Sequence, residues 1–320
     1  MTQSAAGPSQ GARPLACEGG ARSRVSGKPG GVSLTAPTIL VTGANGLLGA
    51  ELVHALAPHG RVVATGHADL DLANPDAIVA KVREIAPALI VNAAAYTGVD
   101  LAEKEEALAR AVNGVAPGIL ADLARRAGAV LIHYSTDYVF DGRATTPYDE
   151  DAAVSPVSAY GRTKLEGERA VAASGADALV LRTSWVYGRR GRNFLTTMQR
   201  LARERDEIRV VDDQAGVPNW SRELARATAR IVARGLPWVA ERRGLHHLAA
   251  RGSTTWYGFA RAILADVPRV RVVPITTAEY PTPARRPHWS VLDTARFERT
   301  FGFALPEWHA SLAECLASAP

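Results

Sequence analysis

The chain has 320 residues, enough for one large domain or two modest ones. With 47% hydrophobic and 22% charged residues, and no apolar run near the ~20 residues that cross a bilayer, it is neither a disordered chain, a collagen, a coiled coil nor a helical membrane protein. The formal charge of +5 splits into +3 on residues 1–37 (Arg13, Arg22, Arg24 and Lys28 against Glu18) and +2 on the rest, so a nearly neutral body argues against a nucleic-acid-binding face.

Residues 1–36, rich in Gly, Ser, Ala and Pro, show no apolar period and read as a disordered tail without a signal peptide. Two cysteines, Cys17 and Cys315, suffice for neither a disulfide framework nor a four-ligand zinc site, which points to a reducing, cytoplasmic setting. From Thr38 the pattern changes. Thr38–Thr42, Arg61–Thr65, Ala88–Asn92, Ala129–Ser135 and Ala178–Thr183 read as short strands apolar on both sides, with helix-length stretches between them. Asn74-Pro75 caps and opens one of these helices. Such alternation predicts an α/β fold: a Rossmann-type, doubly wound parallel sheet over residues 37–183. After Thr183 the rhythm loosens. Helical patterns at Gly191–Arg205 and Ser221–Arg234 mix with short strands at Ile208–Val211 and Leu245–Leu248, and a proline-rich loop runs from Tyr280 to Pro287. Residues 184–320 therefore read as a smaller, mixed α/β lobe for substrate, with late elements returning to the main sheet.

The first strand runs into Gly43-Ala44-Asn45-Gly46-Leu47-Leu48-Gly49, a GxxGxxG spacing between a strand and a helix. Gly43 permits the sharp turn, Gly46 a close approach to a pyrophosphate, and Gly49 tight helix packing, with the helix N-terminus facing the phosphates. The acid that often binds the adenosine ribose at the end of the second strand is missing at Gly66. This admits a 2′-phosphate and tilts the cofactor toward NADPH over NADH; His67 stands where it can support that phosphate. Asp71 and Leu72 are placed for the adenine, as amino-group acceptor and ring contact. Small residues in Asn92-Ala93-Ala94-Ala95-Tyr96-Thr97 leave room for a cofactor across the third strand end.

His133 through Phe140 runs from the fourth strand into a loop, and Tyr160-Gly161-Arg162-Thr163-Lys164 opens a helical pattern reaching about Ala173. Spacing i to i+4 puts Tyr160 and Lys164 on one face. A neighbouring ammonium lowers a tyrosine pKa, so this pair is expected to deliver a proton to a carbonyl oxygen as hydride reaches carbon. The Ser135 and Thr136 hydroxyls are candidates to hold that oxygen or relay protons.

Together with Arg182-Thr183-Ser184-Trp185-Val186-Tyr187, Asp213 through Pro218, Thr254 through Tyr257 and Tyr280 through Pro287, these blocks resemble the extended short-chain dehydrogenase/reductases that act on nucleotide sugars, and among them the dTDP-4-dehydrorhamnose reductase family. The resemblance covers Thr38 to about Trp308. It implies NAD(P)H-dependent reduction of the C4 ketone of a dTDP-4-dehydro-6-deoxy-L-mannose to dTDP-L-rhamnose. Tyr160 would be the proton donor, Lys164 its partner on the nicotinamide ribose, and Thr136 the hydroxyl beside the ketone. Asp137 and Trp185 would contact the sugar, and the Pro281–Pro287 loop would shape its cleft, with Arg285 and Arg286 as candidates for the diphosphate. Gly43, Asn45, Gly46, Leu47, Leu48 and Gly49, then Ala93, Ala95, Tyr96 and Thr97, would hold the cofactor. The magnesium-binding glutamates of some family members match here only at Glu51, a weak candidate; Arg222 and Ser318 occupy the other positions, so no metal is expected, and the chain is expected to be a monomer or weak homodimer. Trp289 stands in place of a small polar residue and would alter the pocket rim. Two rivals remain: a reductase of another dTDP-4-keto sugar in natural-product glycosylation, and a non-catalytic NADP-binding regulatory subunit.

Overall fold

The computed structural model describes residues 36–318. The expected tail, with Cys17, lies almost wholly outside them. In chain order the elements are β1 (Thr38–Thr42), α1 (Leu47–Leu56), β2 (Arg61–Thr65), α2 (Pro75–Ile85), β3 (Leu89–Asn92), α3 (Val99–Ala102), α4 (Glu106–Arg110), α5 (Ala116–Ala127), β4 (Val130–Thr136), α6 (Ala159–Ser174), β5 (Ala178–Thr183) and β6 (Val186–Tyr187). Then come α7 (Phe194–Glu204), β7 (Glu207–Val211), β8 (Ala215–Gly216), β9 (Asn219–Trp220), α8 (Ser221–Val232), α9 (Leu236–Ala240), β10 (Gly244–His247), β11 (Thr254–Thr255), α10 (Trp256–Ile263), β12 (Arg271–Ile275), α11 (Ala295–Phe301) and α12 (Trp308–Ala317).

Six strands form one parallel sheet in the order β10-β5-β4-β3-β1-β2. Alternation along each strand feeds two cores. Ile39, Val41, Leu89, Val91, Ile132 and Leu181 face helices α1, α8 and α11. Their neighbours Leu40, Ile90, Leu131 and Val180 face α2, α5 and α6. The edge strand β2 departs from the expectation of burial on both faces: Arg61 and Ala64 are exposed, because only β1 flanks it. A third core, with Tyr187, Met198, Trp220, Phe259 and Leu312, fills the space under α7, α10 and α12.

Local sequence explains the helix starts that matter. The Asn74 side chain accepts from the amides of Asp76 and Ala77 at 3.1 and 3.2 Å, with Pro75 in the first turn. Ser158 caps α6 through Gly161 N at 3.2 Å. Helix α7 begins at Phe194, not at Gly191 as its pattern suggested. Asn193 forms a capping box with Thr196, and its amide donates to Gly188 O and Arg190 O at 2.9 and 3.0 Å, so residues 188–192 are held as a loop. The switch in strand order between β1 and β3 opens a crevice at their carboxyl ends, where doubly wound sheets bind ligands.

Candidate active site

That crevice is a cavity of about 1280 Å³, bounded by the glycine turn, the ends of β3 and β4, the start of α6 and a wall from the second lobe. Pockets for single ligands are typically ~300–1,000 Å³, so this one is larger than a single small ligand requires. Gly43 has φ +70°, and a Cβ there would lie 2.7 Å from the Ala94 backbone; one on Gly49 would lie 2.0 Å from Gly43 O. Both positions admit only glycine without movement. The missing acid at Gly66 has a steric counterpart: a Cβ would sit 2.3 Å from Asn45 Nδ2. Asp69 accepts from Gly66 N at 2.9 Å, and Asp71 from Ala73 N at 2.9 Å, with His67 3.7 Å away. Leu72 is 5% exposed and still lines the cavity. Ala93, Ala95, Tyr96 and Thr97 line the far side of the turn.

Asn113 was not anticipated. It sits in a π-helical turn between α4 and α5, where its side chain accepts from Tyr96 N at 2.8 Å and donates to Tyr96 O at 3.0 Å, fixing the 95–97 segment. An Asn-Gly pair inside a helical stretch is the signal that marked it.

Tyr160 and Lys164 both line the cavity, one helical turn apart. Lys164, 2% exposed, donates from Nζ to Tyr134 O at 2.6 Å and lies 3.5 Å from His133 Nε2. Behind it runs a buried polar chain across three strands. His133 Nδ1 meets Asn92 Nδ2 at 3.1 Å, and Thr42 Oγ1 donates to Asn92 Oδ1 at 2.6 Å. Polar residues inside otherwise apolar strands were the available signal for this chain. Burial brings Lys164 down to about 8, against the opposing pull of Glu168. Burial, and then the Lys164 charge, hold His133 well below its usual value, so its ring is neutral.

One expectation is overturned. Tyr160 is not acidified by Lys164: burial pushes its phenol up to about 12, against the pull of the Thr136 hydroxyl and with the Asp137 charge adding to the rise. The ammonium is spent on a backbone carbonyl and does not offset that desolvation. Tyr160 therefore holds its proton at neutral pH. Ser135 is likewise diverted, donating to Glu168, which is paired with Arg182 at 2.7 Å. Both Ser135 and Thr136 line the cavity, and Thr136 donates to Asp137 Oδ1 at 3.0 Å. Asp137 is 1% exposed, and burial raises its carboxyl to about 7 against the pull of the Ser290 and Thr136 hydroxyls. Its Oδ2 makes no hydrogen bond of good geometry; the Ser290 hydroxyl donates to Ala215 O.

The second lobe supplies the opposite wall. Trp185, at φ +39°, stacks on Trp256 with centroids 3.6 Å apart and planes at 8°. Gly216 leaves room for the Trp185 indole; a Cβ would approach Cε2 to 2.5 Å. Arg286 does not reach the cavity. It forms a two-pronged pair with Asp100, at 2.8 and 3.1 Å, and donates to Thr282 Oγ1, which ties the proline loop to α3. Arg285 is exposed and also outside the lining, as is Trp289, whose indole donates to Thr146 O at 2.8 Å. Arg189, Arg190 and Arg192 line the wall instead, signalled in the sequence only by a basic run without nearby acids. Glu51 is bridged by Arg222 at 3.0 Å. Among the described residues no three His, Cys, Asp or Glu side chains cluster to hold a metal, and no helix is long and apolar enough to cross a membrane.

A doubly wound sheet ending in a glycine turn, with a tyrosine and lysine one helical turn apart facing the same cavity, defines a short-chain dehydrogenase/reductase of the extended kind. The chain belongs to the RmlD family: the model of the RmlD substrate binding domain matches residues 37–319. It is 46% identical over 290 residues to the dTDP-4-dehydrorhamnose reductase of Burkholderia thailandensis, covering 87% of this chain and 97% of that one. It is also 46% identical over 282 residues to a probable dTDP-4,6-dihydroxy-2-methyloxan-3-one 4-ketoreductase of Streptomyces antibioticus, covering 86% of this chain and 93% of that one. Among solved structures, the dTDP-4-dehydrorhamnose reductase of Bacillus anthracis in complex with NADP superposes with a TM-score of 0.83 at 35% identity, over 88% of this chain and 99% of that one.

Proposed function

We propose that this protein reduces the C4 ketone of a dTDP-4-dehydro-6-deoxy-L-mannose to dTDP-L-rhamnose, with NADPH preferred over NADH. The glycine turn, the phenol and the ammonium, all lining one cavity, carry this assignment. The cofactor fits the residues present: Gly43 and Gly49 leave a backbone cradle that a Cβ would fill. When bound, the reduced nicotinamide supplies hydride to the carbonyl carbon. Tyr160 gives its proton to the carbonyl oxygen, completing the alcohol. Lys164 would donate from its ammonium to the nicotinamide ribose, a charge-assisted contact. Thr136 orients the ketone, Asp137 contacts the sugar, and Trp185 lines its pocket. The NADP complex of the Bacillus anthracis relative supports NADPH, and Gly66 itself carries no acid, the neighbouring Asp69 carboxylate being engaged by the Gly66 amide.

Residues 37–183 chiefly hold the dinucleotide and residues 184–320 the sugar nucleotide. Glu51 is paired with Arg222, which argues against a magnesium site there, and the proposed form is a cytoplasmic monomer or weak homodimer. The Streptomyces antibioticus relative favours a second substrate, another dTDP-4-keto-deoxysugar. One experiment tests both. Purified protein is given defined dTDP-4-keto sugars with each cofactor, oxidation is followed optically, and the product sugar is identified by NMR. Production of dTDP-L-rhamnose, faster with NADPH, is the expected result. Turnover of only a different sugar selects the second substrate, and no cofactor oxidation with any of them removes the assignment.

A further inference from the structure

With Arg286 committed to Asp100, the side chains that meet the substrate's diphosphate are open to assignment. The loop between β6 and α7 carries Arg189, Arg190 and Arg192, and all three line the cavity. Its backbone is wedged against helix starts. A Cβ on Gly188 would lie 2.9 Å from Ser221 Oγ and 3.6 Å from Leu47 Cδ2, and one on Gly191 3.9 Å from Leu47 Cδ2. Leu47, Phe194 and Ser221 open α1, α7 and α8, helices of 10, 11 and 12 residues, and all three residues line the cavity. Three helix ends of positive partial charge thus meet beside three arginines.

Little negative charge balances them. Glu51 is the carboxylate lining this end, and Arg222 already pairs with it. Arg189 donates Nη1 to Leu316 O at 3.0 Å. The Arg190 and Arg192 side chains are exposed and make neither ion pair nor hydrogen bond among the described residues. Arg200, also exposed, is paired with Glu204; Arg203 and Arg205 are exposed and unpaired as well, but unlike Arg190 and Arg192 they do not line the cavity. The loop is nonetheless held in place by the Asn193 amide bonds to Gly188 O and Arg190 O. A fixed backbone lowers the ordering cost of binding, and a guanidinium fork matches two phosphate oxygens at once.

We propose that Arg190 and Arg192 form an anion subsite for a diphosphate group, beside the start of α1 at the glycine turn. Resting on the function proposed above, two sources present that chemistry: the pyrophosphate of the dinucleotide and the diphosphate of the sugar nucleotide. The test is an Arg190→Ala/Arg192→Ala double variant, with a Lys/Lys double variant and Arg200→Ala as comparisons. NADPH and NADH binding are read by fluorescence titration and dTDP binding by calorimetry, at low and high salt. The double alanine variant is expected to lose about tenfold or more in affinity for at least one diphosphate ligand, with the loss shrinking at high salt and partly restored by lysine. Arg200→Ala is expected to bind like the parent.

Loss confined to dTDP assigns the subsite to the sugar nucleotide; equal loss for NADPH and NADH assigns it to the dinucleotide. Loss for NADPH alone overturns the diphosphate role in favour of the 2′-phosphate. Unchanged affinity for all three ligands overturns the proposal outright. A parent protein that binds NADPH but not dTDP refutes the proposed substrate, and the arginine role is then decided by the nicotinamide titrations.

Discussion

The two walls of the cavity are built on different physical principles. On the sheet side, Thr136, Asp137, Tyr160 and Lys164 stand on β4 and α6 or just beyond, and burial sets the protonation of the last three. On the lobe side, Trp185, Trp256, Arg190 and Arg192 offer aromatic faces and solvated charge, arranged by a stacked pair and a capped loop. Under the proposed function, proton chemistry falls to the first wall, where burial sets protonation, and recognition of a large, charged, flat ligand to the second, where groups stay open to water until a ligand replaces it.

Tyr160→Phe probes the sheet wall most severely. Its turnover is expected to fall about 10²–10⁴-fold with unchanged cofactor affinity, measured by steady-state kinetics and NADPH titration. Near-parent turnover would move the proton donor elsewhere and break the division of labour. The second effect is a pH dependence. Lys164 is charged below about 8 and neutral above it, so kcat/KM is expected to fall as pH rises through that value, approaching tenfold per unit. Lys164→Arg, charged throughout, should shift that limb to higher pH. Stability moves the opposite way. Between about 8 and the usual lysine value of 10.5 the unfolded chain binds the extra proton, so the cofactor-free protein gains stability as pH rises across that window. Urea midpoints for the parent and Lys164→Met should diverge there; parallel curves would show that the amine is already hydrated.

The lobe wall answers to a smaller change. Gly216→Ala drives a methyl into the Trp185 indole, so KM for the sugar nucleotide is expected to rise about tenfold while NADPH affinity holds. A fall in kcat alone would mean that the indole acts on the chemistry. Arg286→Ala should do least. Its pair with Asp100 is partly exposed, at 22% and 40%, so thermal unfolding should show a loss of about 1 kcal/mol, with dTDP affinity unchanged. A large loss of dTDP affinity would return Arg286 to the diphosphate.

The sheet, its glycine turn and the Tyr160–Lys164 face were legible in the sequence because each rests on local rules: strand and helix periodicity, a cap, and the space that glycine leaves. Gly43 and Gly49 are dictated by contacts within a few residues or with the adjoining strand end. Other features depended on partners far along the chain. Arg286 reads as a free base until Asp100 is found beside it, and Ser135 as a free hydroxyl until Glu168 is. The Tyr160 phenol reads as acidified from the i,i+4 spacing alone, yet its proton affinity follows desolvation by elements that only folding brings together. The His133–Asn92–Thr42 chain and the loop of Arg189–Arg192 beside three helix starts are likewise set by the sheet order and by how the second lobe packs on it. Backbone geometry is a short-range property that sequence encodes directly. Charge state and recognition depend on distance and burial across the fold, which is why tertiary structure decided them.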